Sequence, residues 1–404
     1  MRILLANHTS AWSGGEVSLM RLLAGLRADH DLCVACPATG KLADAVDAAG
    51  VRRLPLPAVD ASLRLHPVQT PVGLAQLAAG GLALARAARR FGAQVIHANS
   101  PRVGIMASIA RARGGPPYVV RAHEHVPATP VGRMVRGLLV RTAGGVAAVS
   151  DYTAERFNEG LREPVASRVY NSIDQSRFNA AVRPAPLRKQ LGLAPDAVLL
   201  GQVAQITPWK GQDVAIRTLA GLRGAGINAH LVLVGTVVFG GKGVRYDNHA
   251  FQRSLEALVD QLGVREAVHF HGQQDDIPEL LSAFDLSLLP SWEEPFGLVT
   301  VESMAVGTPP LVGQLGAGPE LVDDRVTGRL LGPNQPDKWV SAATELLDDR
   351  DALRRMGEAG QAASARFTDA AHARGMLALY QHAVAPSGAA AERRDDRAEA
   401  PWPG

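Results

Sequence analysis

Two glutamates separated by seven residues follow an apolar run and form the most informative spacing in this sequence. Residues 286–289 are predicted as a buried strand, and the segment 290–309 (PSWEEPFGLVTVESMAVGTP) leads from that strand into a helix. Glu294 lies in the loop, and Glu302 lies about one turn into the helix. Both carboxylates can therefore face one pocket at the carboxyl end of a parallel strand, where ligands bind in open α/β sheets.

The groups around the two glutamates suit a phosphorylated ligand. Gly297 allows a ligand to approach the main chain closely. The first helical turn, residues 298–300, has N–H groups with no partner inside the helix, and such groups bind phosphate. The two carboxylates also fit the acid and base pair of a glycoside hydrolase. That alternative leaves Lys210 and Gly15, discussed below, without a role.

Alternating strand and helix patterns predict two doubly wound α/β domains. Short apolar runs indicate strands, and the segments between them carry apolar residues at helical spacing. The predicted strands are 3–6, 32–35, 51–56, 94–98, 118–122, 146–149, 198–203, 230–234, 268–271 and 286–289. The predicted helices are 16–26, 72–91, 103–113, 131–142, 214–222, 251–262, 277–284 and 339–347.

Proline content and loss of periodicity indicate the domain boundaries. The proline-rich segment 181–195 is predicted as a linker between a first domain, 1–180, and a second domain, 196–365. A helix within 366–385 is predicted to return to the first domain. The segment 386–404 is rich in Ala, Arg, Asp, Glu and Pro without periodicity, and it is predicted to be a disordered tail.

The composition excludes several classes of protein. The chain has 404 residues, of which 47% are hydrophobic, 5% aromatic and 20% charged, and its net charge is +3. Without a long Lys/Arg run or many aromatic residues, no nucleic-acid partner is expected. Cys33 and Cys36 lie on a predicted strand, where residues three apart face opposite sides, so they are predicted as core residues. The N-terminal apolar run is too short for a signal peptide, and residues 72–85 are too short to span a membrane, so a cytoplasmic protein is expected.

The segment 290–309 resembles the retaining GT-B glycosyltransferases of family 4, whose signature is Glu-x7-Glu in the context Ser-x-x-Glu-Pro-Phe-Gly. Further segments resemble that family in the same order along the chain, namely Gly14-Gly15-Glu16, Arg121-Ala122-His123, Asn171-Ser172-Ile173-Asp174, Trp209-Lys210-Gly211, Gly316-Ala317-Gly318-Pro319-Glu320, 327–330 and 366–380. The resemblance covers about residues 1–385. It implies a GT-B fold, in which two Rossmann-like doubly wound domains face across a cleft and a C-terminal helix crosses back to the first domain.

The resemblance also implies a nucleotide-diphospho-sugar donor, with a UDP-sugar favoured over a GDP-sugar. By this resemblance Lys210 neutralises the leaving diphosphate, His123 contacts the donor sugar near the reacting centre, and Glu294 holds the sugar hydroxyls. These three are the predicted catalytic residues, and Glu302 is predicted to accept hydrogen bonds from the ribose. The full predicted donor-binding set is Gly15, Gln205, Lys210, Glu294, Phe296, Gly297, Leu298, Val299, Thr300 and Glu302.

The implied reaction retains the anomeric configuration, with the acceptor hydroxyl attacking from the leaving-group face. No metal or other cofactor is implied. One position departs from the family pattern, because Ala204-Gln205 stands where the family usually has Gly-Arg, five residues before the phosphate lysine. A neutral Gln205 is expected to bind a diphosphate more weakly than an arginine. A catalytically weak partner or binding subunit of the same fold is therefore the alternative function.

The acceptor is predicted to carry a hydroxyl group and to bind mainly to the first domain. The predicted contacts are Asn99, Arg102, Arg121 and His125. Arg102 follows the strand at 94–98 and suits a phosphate or carboxylate, although a plain surface arginine is the equal alternative. Glycans, lipid-linked glycans, small metabolites and natural-product aglycones all stay open. The basic helix at 131–142 is predicted to be solvated, with at most peripheral membrane contact.

Overall fold

The computed structural model describes residues 1–59, 69–238 and 246–385. The described chain forms two compact units, of which the first holds Met1–Ser172 and the described residues from Asp369 to 385, and the second holds Ile173–Thr368. The division at residue 172 corrects the predicted linker at 181–195, since that segment packs within the second unit, where Arg188 donates to the Asp285 carboxylate at 2.6 Å. The predicted tail at 386–404 and a glycine-rich stretch at 240–243 lie outside the described residues.

Each unit is built on one parallel β-sheet. The strands are β1 (Arg2–Ala6), β2 (Asp31–Cys36), β3 (Arg52–Pro55), β4 (Val95–Ala98), β5 (Tyr118–Ala122), β6 (Val146–Ala148), β7 (Ala166–Arg168), β8 (Val198–Val203), β9 (Ala229–Val234), β10 (Val268–Gly272), β11 (Leu286–Leu289), β12 (Pro310–Gly313) and β13 (Arg329–Leu331). The order is β3-β2-β1-β4-β5-β6-β7 in the first sheet and β10-β9-β8-β11-β12-β13 in the second.

Helices cover the faces of both sheets. They are α1 (Gly14–Leu26), α2 (Lys41–Ala48), α3 (Gln69–Phe91), α4 (Pro101–Ala112), α5 (Pro130–Thr142), α6 (Asp151–Asn158), α7 (Leu187–Gln190), α8 (Gln212–Gly224), α9 (Asn248–Gln261), α10 (Ile277–Ala283), α11 (Leu298–Ala305), α12 (Gly318–Leu321), α13 (Pro336–Asp348), α14 (Arg350–Ser364) and α15 (Asp369–Val384). Short 3-10 turns occupy Pro208–Lys210 and Arg265–Ala267.

The strand order creates a switch point in each sheet, where the connections change direction. In the first unit the switch lies between β1 and β4, and in the second unit it lies between β8 and β11. Loops that follow the strands on either side of such a point diverge and leave a crevice at the carboxyl edge. The residues that follow β1, β4, β8 and β11 are therefore the ones that the fold places around a ligand.

The predicted role of the two cysteines as core residues is confirmed. Cys33 and Cys36 are both buried and free, and they belong to hydrophobic clusters on opposite faces of the first sheet. Burial raises the pKa of both thiols to about 11. Both side chains therefore stay protonated at neutral pH and behave as small apolar groups.

Helix α15 belongs to the first unit, as the resemblance implies for a helix that crosses back. Its residues Ala373, Met376 and Tyr380 pack into the same cluster as Ile3 and Leu5 of β1. The helix starts next to α1, and an ion pair of 2.9 Å joins Arg21 to Asp369. In the described part of the chain, no helix is both long enough and apolar enough to cross a membrane.

Candidate functional site

In the second unit, the predicted phosphate lysine and the predicted sugar glutamate form an ion pair. The Nζ of Lys210 lies 2.5 Å from the Oε2 of Glu294, and both side chains are largely buried. The Oγ of Ser291 donates to the same oxygen at 3.0 Å. The ammonium also lies 4.1 Å from the centre of the Trp209 ring. The pair thus joins the loops that follow β8 and β11, on either side of the switch point.

Main-chain packing fixes these two loops against each other. A Cβ on Gly211 would lie 2.2 Å from the carbonyl oxygen of Pro290, so only glycine fits at this close approach. The N–H of Trp292 donates to the carbonyl of Trp209 at 2.8 Å. Because the two backbones are joined directly, the distance between Lys210 and Glu294 is set by the fold.

The start of α11 provides backbone donors next to Glu294. Gly297 caps the helix with a φ of 94°, a conformation that favours glycine. The N–H of Thr300 donates to the Gly297 carbonyl at 3.0 Å, so Thr300 does not offer the free N–H predicted for it. For the N–H groups of Leu298 and Val299 no acceptor is found among the described residues, and both are available to an anion.

Phe296 and Glu302 differ in what their side chains offer a ligand near the start of α11. The ring of Phe296 is buried against Phe367, with ring centres 5.9 Å apart, so only its main chain can face a ligand. Burial raises the pKa of Glu302 to about 7, and the charge of Arg177 opposes this rise. Within the described ranges no donor hydrogen bonds to the Glu302 carboxylate. Glu302 is therefore a partly buried acceptor without a protein partner among the described residues, as a residue that binds ligand hydroxyls would be.

Gln205 follows β8 and keeps its side chain partly exposed. Its carbonyl accepts a hydrogen bond from the side chain of Gln212 at 2.8 Å, which holds the loop in place. The Gln205 amide itself has no partner among the residues that the structure describes. The position is therefore well ordered, open to solvent and uncharged.

In the first unit, three polar residues directly follow three neighbouring strands. Asn7 follows β1, Asn99 follows β4 and His123 follows β5, so all three lie at the carboxyl edge around the switch point. The Nε2 of His123 lies 3.0 Å from the Oδ1 of Asn99. Burial, together with the nearby charge of Arg121, lowers the pKa of His123 well below its usual range, so the imidazole is neutral.

The glycine loop before α1 lies next to this histidine. A Cβ on Gly15 would be 3.4 Å from the Cδ2 of His123, so the ring edge rests against the start of the helix. Glu16 holds the loop, because its carboxylate accepts the N–H and the hydroxyl of Ser13 at 3.0 and 2.7 Å. Among the described residues, the N–H groups of Gly14 and Gly15 have no acceptor and remain available to an anion.

Two of the predicted acceptor contacts are buried, which corrects their assignment. Arg121 is 1% exposed, and its Nη2 donates to Asn171 at 2.7 Å. Burial lowers the pKa of Arg121 to about 9. Asn99 is 3% exposed, and its amide donates to Asn7 and to the Gly15 carbonyl. In this arrangement neither side chain can touch an acceptor, because other protein groups cover both.

Arg102 and His125 are partly exposed at the carboxyl edge and remain candidates for the acceptor. The structure adds His8, which sequence reasoning missed. Its Nδ1 lies 3.2 Å from the hydroxyl of Ser100. Burial, and then the charge of Arg102, lowers the pKa of His8 to about 4, so the His8 imidazole is neutral.

Several other residues of the site could not be identified from the sequence. They are Ser291, Trp209 and Arg177 in the second unit, and Asn7, His97 and Tyr380 in the first. The sequence offered a signal for three of them, since Ser291 lies in the Ser-x-x-Glu pattern, Trp209 precedes Lys210, and Tyr380 ends the segment 366–380. In the described ranges, no three His, Cys, Asp or Glu side chains are placed to hold a metal ion together.

Comparison with known proteins agrees with this architecture. Residues 13–171 match the glycosyl transferase 4-like domain, and residues 185–363 match glycosyl transferases group 1. The structure of HepE from Anabaena in complex with UDP and glucose superposes with a TM-score of 0.80 at 25% identity, covering 94% of this chain and 98% of that one. Two doubly wound units of this kind define the GT-B fold. The chain belongs to the group 1 glycosyltransferases, the GT-B enzymes of family 4.

Curated relatives within the family are similar over part of their length. A D-inositol 3-phosphate glycosyltransferase of Nocardia farcinica is 35% identical over 215 residues, which are 52% of this chain and 46% of that protein. Another, from Mycobacterium marinum, is 28% identical over 340 residues, 79% of this chain and 70% of that protein. The match spans about half the length of the first of these relatives.

Proposed function

We propose that this protein is a retaining hexosyltransferase that moves a sugar from a UDP-sugar to a hydroxyl acceptor without a metal ion. The observation that carries the proposal is the cluster of Lys210, Glu294 and the free N–H groups of Leu298 and Val299. One cation, two backbone donors and one carboxylate at a single sheet edge suit a diphosphate joined to a sugar. The HepE structure with UDP and glucose supports the choice of UDP.

The charges of the site suit the transition state of this reaction. As the bond between the sugar C1 and the phosphate oxygen breaks, negative charge grows on the diphosphate and positive charge grows on the sugar ring. Lys210 and the helix N–H groups stabilise the diphosphate more strongly in the transition state than in the ground state. Glu294 orients the sugar. The acceptor oxygen bonds to C1 on the same face and passes its proton to the departing phosphate oxygen, so neither a protein nucleophile nor a metal takes part.

For the acceptor, we propose a small phosphorylated polyol. The curated relatives are named for inositol 3-phosphate, and Arg102 is a partly exposed guanidinium in the first turns of α4, which follows β4 at the carboxyl edge of the first sheet. A guanidinium binds phosphate through paired hydrogen bonds. Turnover with inositol phosphate and with the unphosphorylated polyol separates this class from a neutral acceptor, which would use both equally.

Thermal denaturation in the presence of nucleotide-sugars tests the donor. A ligand present at about 100 times its Kd stabilises the folded state by about 2.7 kcal/mol, which shifts the midpoint by several degrees. We expect UDP-sugars to raise the midpoint and GDP-sugars to raise it less. If no nucleotide-sugar changes the midpoint, the proposed donor site is wrong. The anomeric configuration of the product, read by NMR, then tests retention.

The alternative function, a binding subunit with little activity, is favoured by Gln205. Slow hydrolysis of the donor without any acceptor distinguishes the two functions. An active transferase releases UDP with water as the acceptor, whereas a binding subunit shows the thermal shift without UDP release.

Gln205→Arg is expected to tighten the binding of UDP by about fivefold to tenfold. The substitution adds a charge-assisted hydrogen bond to the diphosphate at an ordered, uncharged position. Isothermal titration calorimetry with UDP measures the change. Gln190→Arg, at an exposed position on α7 in the same unit, controls for the added charge. Equal affinity in wild type and Gln205→Arg would mean that position 205 does not face the diphosphate.

Binding of UDP near pH 7 is expected to release a proton from Glu302. Because burial raises the pKa of Glu302 to about 7, the free protein is about half protonated there. Ribose hydroxyls that donate to the carboxylate favour its charged form and lower its pKa in the complex. Affinity should therefore rise with pH through about 6 to 8. Titrations in buffers of different ionisation enthalpy measure the released protons.

The variant Glu302→Gln separates this proton from protons released by the diphosphate itself. On binding UDP, the variant should release only the protons that come from the diphosphate. Its affinity for UDP should depend less on pH than that of the wild type. The same proton release in both proteins would contradict the assignment of Glu302 to the ribose.

A further inference from the structure

A chain of hydrogen bonds runs from α15 to the candidate catalytic histidine in the first unit. The hydroxyl of Tyr380 lies 2.7 Å from the Nδ1 of His97. The Nε2 of His97 lies 3.3 Å from the Oδ1 of Asn99, which is also 3.0 Å from the Nε2 of His123. Tyr380, His97 and Asn99 are all buried, so water does not compete for these bonds.

The orientation of the Asn99 amide follows from its other neighbours. Its Nδ2 lies 3.2 Å from the carbonyl oxygen of Gly15, which can only accept a hydrogen bond. The same nitrogen lies 3.2 Å from the Oδ1 of Asn7. Asn7 is fixed in turn, since its own Nδ2 donates to the Thr9 carbonyl at 3.0 Å and to the Glu16 carboxylate at 3.1 Å. The nitrogen of Asn99 therefore faces Gly15, and its oxygen faces the two imidazoles.

This orientation determines which ring nitrogens carry protons. The Oδ1 of Asn99 has no proton, so the Nε2 atoms of His97 and His123 must both donate to it. In a neutral His97 the Nδ1 then has the lone pair and accepts the Tyr380 hydroxyl. Burial keeps both imidazoles neutral, lowering the pKa of His97 to about 3 and that of His123 well below its usual range.

We propose that Asn99 is a positioning residue that fixes His123 as the tautomer with its proton on Nε2 and its lone pair on Nδ1. His97 and Tyr380 hold Asn99 from behind, and Gly15 and Asn7 hold its nitrogen. Among the described residues no donor reaches the Nδ1 of His123. Its ring edge at Cδ2 and Nε2 rests against Gly15, so Nδ1 lies on the other side of the ring.

The tautomer determines which substrate group His123 can recognise. An Nδ1 lone pair accepts a hydrogen bond from a hydroxyl and repels the oxygens of a phosphate or a carboxylate. This step rests on the proposed function: if the protein transfers a sugar, the Nδ1 of His123 accepts a hydrogen bond from a hydroxyl of the sugar or of the acceptor. A histidine with the opposite tautomer would instead donate to an oxygen, and a charged one would bind the diphosphate.

Nitrogen NMR of the ligand-free full chain tests the tautomer directly. Long-range proton–nitrogen correlation spectra distinguish the two neutral tautomers and the imidazolium. The chain has 12 histidines, so the His123 signals are assigned by their absence in His123→Gln. We expect the Nε2-protonated pattern for His123, unchanged between about pH 6 and 8. The Nδ1-protonated pattern, or an imidazolium in that range, would overturn the proposal.

Two variants test how the tautomer is held. Asn99→Ala should lose the single-tautomer pattern of His123 and give a mixed one, while Tyr380→Phe should move the Nδ1 signal of His97. Tyr118→Phe is the matched control, because Tyr118 is equally buried and its hydroxyl bonds to Thr142 and not to a histidine. A purely structural role for Asn99 would leave the pattern of His123 unchanged.

The two proposals fail separately in these experiments. The NMR spectra are recorded without any nucleotide. The test of the tautomer therefore does not depend on whether UDP-sugars shift the denaturation midpoint. An unchanged midpoint with every nucleotide-sugar, together with the expected tautomer, would refute the proposed donor site and keep the role of Asn99.

Discussion

Lys210→Ala is expected to lower kcat by about 10²–10³-fold, the range seen when one preorganised group that stabilises developing charge is removed. The Nζ of Lys210 is held by Glu294 at 2.5 Å and by the face of Trp209. The charge is therefore in place before the diphosphate begins to leave. Because Gln205 is neutral, the loss of Lys210 should be less well compensated here than in the Gln205→Arg background. Steady-state turnover with a saturating UDP-sugar measures the effect.

The Lys210→Ala variant also leaves the Glu294 carboxylate without its cation. Part of the loss will then be repulsion between that carboxylate and the diphosphate. The double variant Lys210→Ala/Glu294→Gln separates the two effects, and we expect it to bind UDP more tightly than Lys210→Ala alone. Lys189→Ala, at an exposed position in the same unit, should behave as wild type. Wild-type turnover in Lys210→Ala would disprove the phosphate assignment.

Most strands and their succession along the chain were predictable from the sequence, because a short apolar run between helical segments fits few structures other than a buried strand. The predicted bounds of β5, β8 and β11 match the structure at both ends. The strands β7, β12 and β13 were missed, because three or four residues carry little pattern, although β6 was predicted at the same short length. Helix α14 was missed for a different reason: glycines form part of its buried face. A Cβ on Gly357 would lie 2.3 Å from the Gly307 carbonyl, so close backbone packing replaces the apolar side chains that periodicity detects.

The site was predictable in its residue types but not in its contacts. Lys210 and Glu294 were both assigned to the donor, yet the sequence gives no sign that they bind each other. Their distance depends on the contact between Gly211 and Pro290, which is a property of two loops packed together. The burial of Asn99 and Arg121 could not be predicted either. The sequence pattern placed both residues at strand ends, but it does not indicate which side chains cover them. The packing must therefore be known before a polar residue near a strand end can be assigned either to ligand binding or to holding other residues in place.

Glu294→Gln and Glu302→Gln are expected to change UDP affinity in opposite directions. From residue types alone, loss of Glu294 should leave UDP binding unchanged, because UDP has no sugar for it to hold. The ion pair changes this expectation, since UDP competes with Glu294 for the charge of Lys210. Even an exposed ion pair contributes up to about 1 kcal/mol, and a difference of that size corresponds to about fivefold tighter binding of UDP by Glu294→Gln. Turnover should still fall by about 10²-fold, because the sugar loses its orientation as the oxocarbenium forms.

Glu302→Gln should instead weaken UDP and the intact donor together by about tenfold or more, since hydrogen bonds to a charged group contribute about 1.5–3 kcal/mol. Its effect should appear mainly in KM, because the ribose is bound alike in ground and transition states. Calorimetry with UDP and turnover with the UDP-sugar are measured side by side for both variants. Glu293→Gln is the control, with the same charge change one residue away from Glu294. If Glu294→Gln weakens UDP and Glu302→Gln does not, the ribose and sugar ends of the donor are reversed, because only the residue that contacts UDP itself can reduce its affinity.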